Sequence, residues 1–274
     1  MFSRPTPVVL ATLIFGFSLS GLALACSTDG WDSESGAVAV GQPSGATPPD
    51  LNGVPRVEEL CALQADGTGY VQSNAPSHDR VRGRLYIFPE FGGVRTPSGM
   101  EPTLLRTYNN EAGTGSLFEV RYNGSWQFDA TGNGGTSNFT AASGGWDLIE
   151  FDWNPGSNTV DIWVNADATT DAPTLSIQSG GAATMESIRV GLPDGLQGLS
   201  GAAFFDSVEL HNETAIGPLL IGDANADQTV DIFDYGAVQT EILGTLQTGQ
   251  PDCNLDGAVD IFDYGCIQQV ILGR

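Results

Sequence analysis

Five oxygen-bearing side chains near the C-terminus carry the strongest chemical signal. Asp223, Asn225, Asp227, Asp231 and Asp234 occupy positions 1, 3, 5, 9 and 12 of a short loop, and Asp252, Asn254, Asp256, Asp260 and Asp263 repeat that spacing 29 residues later. A hard divalent cation takes about six to eight oxygens at about 2.3–2.6 Å, and a loop wrapped around it supplies them from alternate positions. The seventh residue, Thr229 or Ala258, adds a backbone carbonyl, the twelfth closes the shell, and the ninth often acts through water. Without an ion the four carboxylates of each loop repel one another, so binding and folding are expected to be coupled. The chemistry predicted is calcium, two ions per chain.

The elements that must hold these loops are also repeated. Gly222–Gly244 aligns with Pro251–Gly273 with 14 of 23 positions identical, a degree of self-similarity that marks a duplicated unit. After each loop the apolar residues follow helical spacing: Tyr235, Val238 and Ile242, then Tyr264, Ile267 and Ile271. Gly244 and Gly273 are predicted to stop the two helices, and Val230 and Val259 to pair as a short strand between the loops. Gly257 suits the sharp turn at position 6, whereas Gln228 there costs about 1 kcal/mol in a left-handed backbone, which predicts a weaker first site.

This duplicated loop–helix unit resembles the type I dockerin domain, over residues 222–274. The resemblance implies calcium at the ten side chains named above and docking to a cohesin-like partner protein. Family positions 10 and 11, which help to set partner choice, hold Ile232-Phe233 and Ile261-Phe262 here. They are apolar where cellulosomal versions are often hydroxylated, and packing within the domain is the expected role. Gln239-Thr240 and Gln268-Gln269 stand where the family often has a basic pair.

Four cysteines are consistent with two disulfides in an oxidising compartment. Cys253 and Cys266 replace Ala224 and Ala237 of the first copy, a paired change that suggests one bond fastening the second loop to its helix. Cys26 would then pair with Cys61, although four cysteines allow three connectivities.

Between residues 26 and 212 the period changes to two. Phe118, Val120 and Tyr122 alternate with Glu119 and Arg121, and Val160, Ile162 and Val164 alternate with Asp161 and Trp163. Ten short strands are predicted, at 36–41, 69–72, 81–89, 104–109, 116–122, 125–130, 146–153, 159–164, 188–192 and 202–210, between Gly, Pro, Asn and Ser clusters. The fold class expected is mainly β: an antiparallel β-sandwich followed by the small α-helical calcium unit. The strands Arg82–Phe88, Trp146–Trp153 with Val160–Val164, and Phe204–Leu210 resemble those of concanavalin A-like, laminin-G-type jelly rolls. That resemblance implies a layer that binds glycan or protein.

Catalytic chemistry is thinly represented. Glu150-Phe-Asp152 resembles part of the Glu-x-Asp-x-Glu strand of laminarinase-like glycoside hydrolases, where residues two apart share a cleft. The third position here is Asn154, and an amide cannot protonate a leaving group. A glycoside hydrolase is therefore the alternative to a non-catalytic binding protein. Trp126, Trp153 and Trp163 are candidates for stacking on sugar rings, with core packing as the plainer role. Asp206 could join a calcium site on the sandwich. His78 and His211 fall in no catalytic pattern and read as surface residues.

The chain has 33 acidic and 10 basic residues, every basic one Arg, for a formal charge of −23. Such a surface repels phosphate backbones and anionic headgroups, which excludes nucleic-acid and polybasic membrane binding. Residues 1–25, with Arg4, an apolar run and Ala23-Leu24-Ala25, read as a secretory signal peptide. A lipid anchor at Cys26 is the one membrane attachment the sequence offers. The organisation expected is signal peptide 1–25, sandwich 26–212, linker 213–221 and calcium unit 222–274, in a protein secreted by or displayed on a bacterium.

Overall fold

The computed structural model describes residues 31–40, 62–74, 80–92, 101–122, 127–133, 135–140, 146–182, 184–211, 215–225, 227, 229–245, 250–254 and 258–273. Residues 1–25, where a signal peptide is expected, and Cys26, Cys61, His78, Trp126, Gln228 and Asp256 lie outside them.

Twelve strands precede two helices among these residues: β1 (Ser33–Val40), β2 (Ala62–Ser73), β3 (Val81–Gly92), β4 (Thr103–Tyr108), β5 (Ser116–Tyr122), β6 (Gln127–Gly132), β7 (Gly135–Thr140), β8 (Asp147–Asn154), β9 (Thr159–Val164), β10 (Leu175–Gln178), β11 (Ser187–Gly191), β12 (Ser200–His211), α1 (Asp234–Ile242) and α2 (Ile261–Ile271). The strands hydrogen-bond in the order β10-β9-β8-β3-β12-β2-β11-β4-β5-β6-β7, with β1 on β2, and every pairing is antiparallel.

β2 joins two layers because it changes partner along its length. Leu63–Ala65 pairs with Phe205–Ala203 of β12, whereas Tyr70–Ser73 pairs with β11. β1 follows both halves and breaks register at Gly36, whose φ of 66° suits glycine. Gly69 is required at the same crossing, since a Cβ there would lie 2.8 Å from the Gly36 carbonyl oxygen.

The period-two pattern sets what lies between the layers. Ile149, Phe151 and Trp153 of β8, Leu85 and Ile87 of β3, and Val160 and Ile162 of β9 are buried with Phe118 and Val120 of β5, Phe128 of β6, and Ile188 and Val190 of β11. The Phe118 ring meets Phe151 edge-on at 5.1 Å between centroids. This is a jelly-roll-like antiparallel β-sandwich. A smaller cluster of Phe88, Phe204, Ala62 and Ala202, with Trp146 packed against it, is separate from the main core.

Several expectations need correction. β7 and β10 are strands that the sequence reading left out, and β2 extends well before residue 69. Val230 and Val259 form no strand; they pack against a separate C-terminal core of Ala224, Ala237, Val238, Cys253 and Ile267. Tyr235 and Tyr264 stack across the repeat at 5.4 Å. Ile242 and Ile271, in phase with that core by helical spacing, are exposed because each lies on the last turn of its helix. Both helices run into glycines at positive φ, Gly244 (93°) and Gly273 (64°), which end a helix without steric cost.

Candidate functional site

The two acidic loops place their twelfth residues alike. The Asp234 carboxylate is fully buried and accepts the backbone N–H of Asn225 (3.2 Å) and of Asp231 (2.7 Å). Asp263 is equally buried and accepts those of Asn254 (3.2 Å) and Asp260 (2.8 Å). Position 12 thus ties positions 3 and 9 together in both copies. At the head of each loop Asp223 and Asp252 are buried as well, and Asp223 accepts from the Asp227 amide at 3.1 Å. Asn225 bridges inward, its Nδ2 donating to Asp227 at 3.0 Å and its Oδ1 accepting the Asp227 amide at 2.9 Å. Asp227 also accepts the Thr229 amide at 3.0 Å. Ala258 lies in the corresponding stretch of the second loop.

Position 9 caps the helix only in the second copy; α1 has Phe233 at its N-cap and no side-chain cap. Asp231 accepts from Phe233 N and Asp260 from Phe262 N, both at 2.7 Å, and Asp260 with Asp263 forms a capping box on α2. The second loop is also fastened covalently, because Cys253 and Cys266 are joined by a disulfide.

Does this donor set suit calcium? Residues 222–274 hold nine carboxylates (Asp223, Asp227, Asp231, Asp234, Glu241, Asp252, Asp256, Asp260, Asp263) and one basic residue, Arg274. Burying carboxylates is costly without a compensating cation, and this segment contributes almost none of its own. The oxygen-only chemistry therefore fits a hard cation. Among the described residues, which leave out Asp256, no three His, Cys, Asp or Glu side chains converge closely enough to hold a metal. The loops are instead held by carboxylate-to-backbone hydrogen bonds.

The Ile-Phe pairs do not pack within the domain as expected. Ile232 and Phe233 are 67% and 69% exposed, and Ile261 and Phe262 are 70% and 68% exposed. Every exposed large hydrophobic among the described residues falls between Ile221 and Leu272. The small core uses Tyr235, Val238, Tyr264 and Ile267 on the inner helix sides, leaving loop positions 10 and 11 outside.

The carboxylates considered for hydrolysis are engaged elsewhere. Asp152 is held by Arg80 at 2.6 Å and Arg82 at 3.1 Å. Glu150 is 2% exposed, closed over by the backbone of residues 216–217: its Oε1 accepts Ile216 N (2.9 Å) and Gly217 N (2.8 Å). Burial raises its pKa, offset in part by the N–H groups of Gly217, Ile216 and Ala168 and by Arg84. Arg84 donates to the Gly217 carbonyl at 3.3 Å, and Leu219 N donates to the Tyr86 hydroxyl at 2.9 Å. Residues 216–219, expected to be linker, form a strap across β3 and β8. Asn154 accepts the Gly156 amide in a turn.

Trp153 is fully buried in the main core, and Trp163 is largely buried with its Nε1 donating to the Asp171 carbonyl at 3.0 Å, so packing accounts for both. Asp206 caps its neighbour Ser207 N at 2.8 Å and joins no metal-holding group among the described residues. His211 ends β12.

The other layer carries an arginine lattice that sequence reasoning missed. Arg106 lies 2.8 Å from Glu119 through Nε, an ion pair off the hydrogen-bond axis, and also pairs with Asp194. Burial would lower the Arg106 pKa, but the carboxylates of Asp194 and Glu119 hold it above the ordinary value. Arg121 reaches Glu119 at 2.6 Å. Arg189 sits over the rings of Tyr70 (4.7 Å) and Tyr108 (4.9 Å). The alternation Arg106, Glu119, Arg121, Arg189 on outward strand positions was the available signal.

No family model and no curated protein matches this chain. Solved structures resemble it weakly. A sialidase is 14% identical over 67% of this chain, with a TM-score of 0.39, and the match spans 17% of the sialidase. A cellulose-induced protein is 13% identical over 66% of this chain and 88% of its own, also at 0.39. The lectin I-B4 from Griffonia simplicifolia is 9% identical over 67% and 95%, again at 0.39. Scores of this size carry no argument about function. Among the described residues no helix is long and apolar enough to cross a membrane, and the Cys253–Cys266 bond fits an oxidising environment.

Proposed function

We propose that this is an exported, non-catalytic binding protein: a concanavalin A-like sandwich that holds a glycan, followed by a dockerin-like module that takes two calcium ions and docks to a cohesin-like protein. The observation that carries the reading is the placement of the Ile232-Phe233 and Ile261-Phe262 pairs. Each is exposed and lies between the ninth and twelfth residues of an acidic loop, with Asp231 or Asp260 holding the phenylalanine amide. Apolar side chains presented in this way mark a protein contact. An ion drawn in by Asp223, Asn225, Asp227, Thr229, Asp231 and Asp234, or by Asp252, Asn254, Asp256, Ala258, Asp260 and Asp263, would fix the loop and with it the adjoining pair. Residues 1–25 would direct export, with soluble release or a lipid at Cys26 as the end state.

Titration calorimetry of the purified protein tests this directly. Two calcium ions are expected, with Asp234→Ala and Asp263→Ala each removing one. A cohesin module should be retained in calcium and released by chelator, and the double change Phe233→Ser, Phe262→Ser should abolish retention without altering the calcium count. Absence of calcium heat, or retention indifferent to chelator, refutes the module's role.

A further inference from the structure

We infer that Arg189, on the outer face of the layer containing β11, β4 and β5, is the anchor of a binding site for a carboxylate-bearing sugar; the inference rests on the reading of the sandwich as a glycan-binding layer and names its ligand class and site. Six of the ten arginines fall in the described residues: Arg80, Arg82, Arg84, Arg106, Arg121 and Arg189. Five are ion-paired, to Asp152, Glu209, Glu119 or Asp194. Arg189 has no carboxylate within ion-pairing distance among the described residues, in a chain of formal charge −23.

Its position makes that arrangement costly. Arg189 on β11 stands directly opposite Arg106 on β4, and like charges facing each other across a ladder destabilise it. Arg106 is compensated by Glu119 and Asp194, and Arg189 is not. A bound anion would relieve the repulsion.

The guanidinium is also already positioned. Its Nε donates to the Gln72 side-chain Oε1 at 2.8 Å and its Nη1 to the Tyr108 hydroxyl at 3.2 Å. Gln72 is itself buried and held through its Nε2 by Asn74 (2.6 Å) and the Glu111 carbonyl (2.8 Å). The two tyrosine rings fix the plane. Gly113 has no side chain where a Cβ would fall 2.0 Å from Nη2, and Nη2 has no hydrogen-bond partner among the described residues. A rigid fork with one nitrogen uncommitted is suited to a carboxylate. The Glu119 and Asp194 carboxylates, held on the neighbouring Arg106, favour a singly charged carboxylate group at Arg189 over a doubly charged phosphate. Tyr70, on β2 beside β11, and the ion-paired Arg106 opposite Arg189 supply a ring and donors for hydroxyls.

The test is titration of the full-length protein with a panel of acidic oligosaccharides (trigalacturonate, trimannuronate and a hyaluronan tetrasaccharide), each beside its neutral methyl ester, and with neutral cello- and xylo-oligosaccharides. At least one acid should bind and its ester should not. Arg189→Gln should weaken that binding about 10- to 100-fold, the loss expected for a charge-assisted hydrogen bond, and Arg189→Lys should restore part of it. If Arg189→Gln does not fold, the contrast between acid and ester on the native protein still decides. Equal binding of acid and ester, binding of neutral sugars alone, or indifference to Arg189→Gln overturns this site while leaving the glycan reading intact. Failure of every sugar to bind refutes both.

Discussion

Removing the Glu150 carboxylate should release the strap that crosses the sandwich. Two backbone donors, Ile216 N at 2.9 Å and Gly217 N at 2.8 Å, end on its Oε1, and both residues are buried. A buried donor deprived of its acceptor costs about 1–3 kcal/mol, so Glu150→Ala should weaken the strap locally by about 2–6 kcal/mol, less where water enters. Glu150→Gln keeps an oxygen in place for both amides and should leave the strap seated. The pH dependence has a definite sign. Burial raises the folded-state pKa of Glu150, so the folded state binds the proton more tightly than the unfolded chain. Its contribution to stability is then greatest below the ordinary carboxylate range and is lost as pH rises through the raised folded value. The native protein should therefore lose ground to Glu150→Gln on going from acid to neutral pH. Amide hydrogen exchange reads the local effect: Ile216 and Gly217 should exchange much faster in Glu150→Ala than in the native protein or Glu150→Gln. Equal protection in all three proteins refutes the strap. A native protein that gains on Glu150→Gln as pH rises refutes the account of its charge.

Two further changes probe the two cores. Replacing Cys253 and Cys266 together by Ala removes a cross-link 13 residues apart and should cost the C-terminal repeat about 3 kcal/mol; helical circular dichroism should melt earlier while the near-ultraviolet signal of the sandwich holds. Phe118→Ala opens a cavity against Phe151 and should cost about 3–5 kcal/mol, read as a lower urea midpoint. Phe262→Ser, at a side chain 68% exposed, should change the stability of the C-terminal repeat by no more than about 0.5 kcal/mol, read as an unchanged helical melt.

What the sequence revealed depended on how local the signal was. Val160, Ile162 and Val164, or Phe118, Val120 and Tyr122, announce a strand because six or seven consecutive residues contain the whole pattern. β10 has four residues with one buried hydrophobic, Ile177, and β7 reads Gly-Thr-Ser-Asn-Phe-Thr. Neither has an alternation to detect, and both became strands through their neighbours. In β2, Asp66-Gly-Thr-Gly69 has the composition of a turn, yet the chain passes through it from one layer to the other. The strap was read as linker because residues 213–221 have no period, and what seats it is Glu150, 66 positions away from Ile216. The duplicated loops were legible from spacing alone, but exposure of Ile232, Phe233, Ile261 and Phe262 was not. A helical pattern says which residues share a side, and the small core filled that side with tyrosines instead.

The distribution of positive charge connects the two proposed sites. Arginine is the only strong cation in the chain, and its planar fork can serve several acceptors at once. The described arginines form two groups, Arg80, Arg82 and Arg84 on β3 and its approach, and Arg106, Arg121 and Arg189 across β4, β5 and β11. The first group holds Asp152, Glu209 and the Gly217 carbonyl, so it is committed to fixing β8 and the strap. The second holds Glu119 and Asp194 and leaves Arg189 over. With both groups in the sandwich, the nine carboxylates of the C-terminal repeat are left with Arg274 as their one basic residue in sequence. Backbone N–H groups hold Asp234 and Asp263 but bring no net charge, whereas Arg189 in the sandwich has no carboxylate at ion-pairing distance among the described residues. The same uneven allocation underlies both proposals, a cation at the repeat and an anion at Arg189.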